Sequence, residues 1–158
     1  MGIDDGYRPL SNRTDKFREP SKETAAPRLV LADDNSAVLD HVSNLLRESA
    51  YEVVAALRDG TAVVSECQRL RPDVVVLDIF IDKLSGLDVA RLLRECGCRA
   101  KIVFLTIHDD PDFLNAAIGA GGNAFVVKSR VSTDLVPAIR AVLANKLFVS
   151  PSLLHHEP

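Results

Sequence analysis

The sequence lacks an excess of basic residues: 19 Lys and Arg stand against 22 Asp and Glu, for a net charge of −3 and a pI near 5.8. A nucleic-acid surface is normally basic, so direct nucleic-acid binding by this chain is not expected. It also lacks any apolar run approaching a membrane span, and its polar N-terminus has no signal-peptide core. Cysteine is scarce. Cys67, Cys96 and Cys98 are an odd set without a paired framework, which excludes a disulfide scaffold and suits the reducing cytoplasm. Cys96-Gly-Cys98 has neither zinc-knuckle nor Cys-x-x-Cys redox spacing and reads as the end of a helix. Internal repeats and low-complexity tracts are missing too.

What is present is apolar material, 47% of 158 residues, enough for one domain with a core and with room for tails. Residues 1–27 mix charge, Pro and Gly without a period and read as a flexible N-terminal leader. A regular alternation begins at Arg28. Short apolar runs at 29–32, 51–56, 73–78, 101–106 and 124–128 read as strands. Helical stripes follow each of them, over residues 37–46, 62–70, 87–95, a stretch begun by Asp109-Asp110-Pro111 and ending at Ala120, and a last one through Ala144. Asn35 or Ser36 caps the first helix, and Pro72 stops the second. Pro137 is tolerable in the last helix only within its first turn, where its missing N–H has no partner to lose.

Strict alternation of five strands and five helices specifies an α/β doubly wound fold with right-handed crossovers. Its expected form is a flavodoxin-like three-layer sandwich with parallel sheet order 2-1-3-4-5. The domain spans residues 28–146, and residues 147–158 form a short C-terminal tail, with His155-His156 part of it.

The third strand organises the rest. Asp73-Val-Val-Val-Leu-Asp78 is buried on both faces and ends on a carboxylate. Three other strands also end in polar residues: Asp33-Asp34, Thr106 and Lys128. In a parallel sheet these ends share the edge where ligands bind. Three carboxylates meeting there would repel. Mg²⁺ relieves that repulsion, preferring a few carboxylates, waters and a phosphate oxygen. Lys128 adds a compact positive charge and Thr106 a hydroxyl, which together make a site for a phosphoryl group on Asp78.

These residues at these intervals resemble the receiver domain of two-component response regulators, over the stretch from Arg28 to about Ser150. The resemblance implies that Asp78 is the phosphoacceptor. It implies that Asp34, Asp78 and the backbone carbonyl of Phe80 bind Mg²⁺, with Asp33 acting through a metal-bound water. Lys128 would pair with the phosphoryl oxygens, Thr106 would turn onto the attached phosphate, and Phe125 holds the switch-aromatic position. The implied donor is a sensor histidine kinase or a histidine phosphotransfer protein. A downstream protein would read the changed face of the fourth helix, fifth strand and fifth helix, and a second copy of the chain is a further candidate partner. Turnover of small substrates is not expected.

Three positions depart from the family pattern. Ile81-Asp82 replaces the usual Met-Pro, so a loop acid stands near the site, either solvated or modulating metal affinity. Phe80 is bulkier than usual and is expected to shield the acyl phosphate from water, slowing autodephosphorylation. Ser129 follows Lys128 where proline is common. With Leu105-Thr-Ile-His-Asp-Asp110 and Phe148-Val-Ser-Pro151, this last feature is similar to the NarL/FixJ branch, whose members continue into a helix-turn-helix. The chain stops at Pro158 and is read as a stand-alone receiver, with the fragment of a longer DNA-binding regulator as the alternative. His108, at the rim, is read as solvated or as a modulator of dephosphorylation, and His41 as a surface residue beside the acidic loop. A pseudo-receiver that works by contact alone is kept as a third reading. An aspartate-nucleophile phosphatase is disfavoured, because such enzymes want an acid where Phe80 stands.

Overall fold

Val74–Asp78 (β3) is buried at every position, and the sheet is assembled around it. The computed structural model describes residues 25–108 and 110–154. The leader as far as residue 24, Asp109 and His155-His156 lie outside the described residues.

In chain order the other strands are Arg28–Ala32 (β1), Glu52–Leu57 (β2), Lys101–Thr106 (β4), Ala124–Val127 (β5) and Phe148–Val149 (β6). The helices are Ser36–Glu48 (α1), Gly60–Leu70 (α2), Gly86–Glu95 (α3), Pro111–Gly119 (α4), Val131–Leu143 (α5) and Pro151–Leu154 (α6). All pairings are parallel and the order is β2-β1-β3-β4-β5-β6. This is the expected flavodoxin-like order, extended by one strand.

The two-residue side-chain period divides the sheet's apolar residues between two cores. Val75, Leu77, Ile102, Phe104 and Phe125 face α2, α3 and α4. Val74, Val76, Val103, Leu105 and Val126 face α1 and α5. Each fully buried Val, Leu, Ile or Phe contributes about 1.5–3 kcal/mol, so this division of one continuous run into two faces is what holds the three layers together.

Helix starts follow the capping residues. Asn35 Oδ1 accepts from the N–H groups of Ala37 and Val38, and Asp110 Oδ1 accepts from Asp112, with Pro111 opening α4. Arg71, in the left-handed region at φ 48°, ends α2 ahead of Pro72.

Three expectations need correction. Lys128 does not end β5; it opens a 3-10 turn, Lys128–Arg130, that leads directly into α5. Because α5 therefore begins at Val131, Pro137 falls in its second turn and not its first. The proline withholds a hydrogen bond from the Thr133 carbonyl. Both residues lie on the exposed face, where water can take that carbonyl. The stretch after residue 146, read as a tail, forms β6 and α6, and Leu153 is buried in the same core as Phe125.

Candidate functional site at the strand ends

The parallel sheet delivers Asp33, Asp78, Thr106 and Lys128 to one edge. Asp33 follows β1 directly, and its N–H is tied to the Leu57 carbonyl at 3.0 Å, so the residue is fixed by its own strand and by β2. Oxygens of Asp33, Asp34 and Asp78 lie within 4.8 Å of one another. Asp33 and Asp78 are 1% and 4% exposed, whereas Asp34 is open to solvent.

Lys128 answers the repulsion within this cluster. Its Nζ lies 2.7 Å from Asp33 Oδ2 and 3.1 Å from Asp78 Oδ2. Burial and the nearby Asp33 charge push the Asp78 carboxyl above its ordinary range, against the pull of Lys128 and the Phe80 N–H. Burial works against the Lys128 ammonium as well, but its attraction to the Asp33 and Asp78 carboxylates holds its pKa above the ordinary value. Lys128 is a partly buried cation shared by two buried anions, and removing it would leave both without a counter-charge.

The donor set fits a hard divalent cation. Asp33 Oδ1 accepts the Asn35 N–H at 2.9 Å. Asp33 Oδ2 is buried and has no aligned hydrogen-bond donor among the described residues, because the 2.7 Å approach of Lys128 is an ion pair without hydrogen-bond geometry. An under-satisfied carboxylate oxygen beside two more carboxylates is the arrangement such a cation completes. Phe80 stands at the rim with its N–H on Asp78 Oδ1 at 3.1 Å.

Thr106 is brought to this edge, but its hydroxyl is engaged elsewhere. It donates to the His108 carbonyl at 3.2 Å and accepts the His108 N–H at 3.0 Å. Beside it three rings meet. The edge of Phe80 packs on His108 and Phe113, with centroids 5.2 and 5.4 Å away, and His108 stacks on Phe113 at 5.2 Å. The residue missed from the sequence here is Phe113, in the first turn of α4.

Other expected residues lie apart from the carboxylates. Asp82 is exposed, and its side chain accepts the Lys83 N–H at 3.0 Å; it does not join the three-carboxylate group. Phe125 is 1% exposed, tilted against Phe104 at 5.5 Å and in register with Val149 of β6. His41 is exposed as expected, but its ring reaches Ser132 on α5 and does not face the acidic loop, because it points from α1 toward that neighbouring helix. A cavity of about 1090 Å³ is lined by Arg28, Cys67, Asp73, Cys98 and Lys101, among others. It opens among the starts of the strands and contains none of the four strand-end residues.

Gly86, the first residue of α3, has a steric duty. A Cβ there would overlap the carbonyl oxygen of Asp78, and the Gly86 N–H binds the Ile79 carbonyl at 2.7 Å. The start of α3 thus presses on the backbone that carries the central carboxylate. Sequence could have revealed this only through the recurrence of glycine a fixed distance after the aspartate.

With this geometry in view, the likenesses to known proteins are informative. The family model for the response regulator receiver domain matches residues 29–140. The transcriptional regulatory protein DesR of Bacillus subtilis is 32% identical over 127 residues, 80% of this chain and 63% of DesR. PdtaR of Mycobacterium tuberculosis is 32% identical over 124 residues, 78% of this chain and 60% of PdtaR. The chain therefore spans less than two thirds of the length of these curated relatives. Among solved structures, a LuxR-family two-component response regulator from Aurantimonas superposes with a TM-score of 0.77 at 30% identity, covering 82% of this chain and 94% of the other. The isolated receiver domain of RcsB from Salmonella enterica, solved with phosphomimetic BeF3-, gives a TM-score of 0.75 at 25% identity, covering 82% and 97%. By family match, fold and similarity to these regulators, this chain belongs to the response regulator receiver domains.

Proposed function

We propose that the chain is a phosphoryl-accepting switch of a two-component or phosphorelay system, with Asp78 as the acceptor. The observation that carries this reading is the Lys128 ammonium within 3.1 Å of both Asp33 and Asp78 at the end of the most buried strand. The donor is a phosphohistidine on a sensor kinase or phosphotransfer protein.

An Asp78 carboxylate oxygen attacks phosphorus in line. The P–N bond to the donor's imidazole breaks, its electron pair leaves with that nitrogen, and an aspartyl phosphate forms. Asp33, Asp34, Asp78 and the Phe80 carbonyl would hold Mg²⁺, which supplies charge neutralisation to the phosphoryl oxygens when bound. Lys128 is the residue that moves least, since its ammonium already stands beside the acceptor oxygen. Thr106 must give up its two hydrogen bonds with His108 before its hydroxyl can reach the phosphate.

The acyl phosphate adds charge close to −2, which draws the hydroxyl and ammonium inward and reshapes the ends of β4 and β5. Phe125 begins this change buried. Swinging it out would expose its ring, at a cost of about 1.5–3 kcal/mol. Asp82 is tied to its own loop, so the feature that favoured a receiver silent to phosphorylation is weakened.

The test is incubation of the full chain with acetyl phosphate and Mg²⁺, followed by intact mass measurement. One added phosphoryl group on the wild type and none on Asp78→Asn supports the reading. A folded wild type that stays unlabelled contradicts it, as would steady release of phosphate from simple esters.

A further inference from the structure

We propose that Ser150 and Asp134 form a positioning unit for Lys128, a role that rests on the phosphoryl-transfer reading above. Ser150 is fully buried and bonds β5 on both sides of Val126. Its N–H donates to the Phe125 carbonyl at 2.8 Å, and its Oγ accepts the Val127 N–H at 3.1 Å. β6 ends at Val149, so the hydroxyl supplies the acceptor that the next strand residue would have given. The hydroxyl proton goes to Asp134 Oδ2 at 2.8 Å. Asp134 is itself buried on the first turn of α5, and it also accepts from Arg130 Nε at 2.9 Å and Thr133 Oγ1 at 3.1 Å.

Lys128 sits between these anchors. The N–H of Val127, the residue before it, is held by Ser150, and the turn after it is held through Arg130 to the same carboxylate. A lysine ammonium ends a flexible four-carbon stem, so its position depends on how well the stem's base is fixed. A satisfied buried network is rigid, and each lost member leaves another polar atom unpaired. Transfer geometry tolerates little displacement: about 1 Å can cost about a hundredfold in rate. The unit has no contact with the acceptor carboxylate, so its effect must pass through Lys128.

The experiment compares wild type with Ser150→Ala and Asp134→Asn, the second guarding against a first variant that does not fold. Ile139→Val trims the core on α5 without touching the network and controls for stability alone. Phosphorylation rate by acetyl phosphate, half-saturating Mg²⁺ and the ¹³C-lysine cross-peak of the Lys128 Cε, assigned with Lys128→Arg, are measured on each. The expected result is a fall in rate of about tenfold or more in both network variants. It comes with Mg²⁺ dependence unchanged, a shifted Lys128 peak and an unaffected Ile139→Val. Folded network variants with wild-type rates and an unmoved peak overturn the proposal. If wild type accepts no phosphoryl group, the functional reading fails by itself. The Lys128 peak then decides the positioning claim, upheld if it moves in the network variants and lost if it does not.

Discussion

Fifty residues of chain separate Asp78 from Lys128, yet Lys128 Nζ stands 3.1 Å from Asp78 Oδ2. Asp78 ends β3 and Lys128 opens the turn after β5, two parallel strands that are not neighbours, with β4 between them. The same ammonium reaches Asp33 at the end of β1. One cation therefore registers three strand ends, and its surroundings lead to tests that do not depend on one another.

Mg²⁺ should stabilise the fold through the three carboxylates. At free Mg²⁺ about ten times its dissociation constant the gain is about 1.4 kcal/mol, or about 3–6 °C in melting midpoint for a domain of this size. Asp34→Asn should flatten the response. A variant that keeps the full Mg²⁺-dependent rise would remove Asp34 from the site.

The cluster of Phe80, His108 and Phe113 should govern how long an acyl phosphate survives. Phe80 is 47% exposed and packs edge-to-face with His108 and Phe113 at the rim, where it is expected to screen an acyl phosphate from water. Phe80→Asn should shorten the phosphate's half-life, and Phe113→Ala should do so to a smaller degree by releasing Phe80. Equal half-lives in all three proteins, read by loss of the mass-labelled species, would show that the rings are bystanders.

Gly86→Ala should damage stability and site together. The new methyl meets the backbone carbonyl of Asp78, which cannot turn aside as a side chain would. A loss of about 1–3 kcal/mol in denaturant unfolding is expected, with weaker labelling of the acceptor. A variant as stable and as readily labelled as wild type would mean that α3 does not bear on the acceptor's backbone.

Acid stability should depend on Asp134. Burial alone would raise its carboxyl, but Arg130, Ser150 and Thr133 hold it below the ordinary 3.8. A folded pKa below the unfolded one contributes stability that is full above the unfolded value and lost as pH falls through the folded value. Wild type should lose stability more steeply below about pH 4 than Asp134→Asn. Parallel acid limbs in chemical denaturation would contradict the assignment.

The cysteines should differ in reactivity. Burial, with smaller contributions from Cys98 and Glu66, pushes the Cys67 thiol up to about 12, while Cys96 is exposed. Alkylation at pH 8 should label Cys96 in the folded protein and spare Cys67 until denaturant is added. Equal labelling rates in the native state would mean that the core around Cys67 is open.

Much of this architecture was legible because local rules and the tertiary fold agree. The valines of β3 announced a doubly covered strand, and the polar residues after β1, β3 and β4 announced a shared edge. Lys128 was placed correctly in space although it belongs to a turn and not to a strand, since the direction of β5 is set before the chain leaves it. Pro137 was misjudged because helix starts are set by capping and packing, and Arg130 begins α5 without a side-chain cap. β6 was missed because two residues give no period to read. Ser150 and Asp134 were invisible as a unit for a different reason: 16 positions separate them, and no local pattern marks a hydrogen bond across that span. The site's first contacts were written in residue types, whereas their support was written in packing.

The most direct test of the account is chemical identification of the phosphorylated residue. Borohydride reduction of the phosphorylated chain converts an acyl phosphate on aspartate to homoserine, which peptide mass spectrometry can locate. The account predicts homoserine at position 78 alone, and none when Mg²⁺ is chelated before the donor is added. Homoserine at Asp33, Asp34 or any other carboxylate, or none anywhere in folded protein supplied with donor and Mg²⁺, would contradict it.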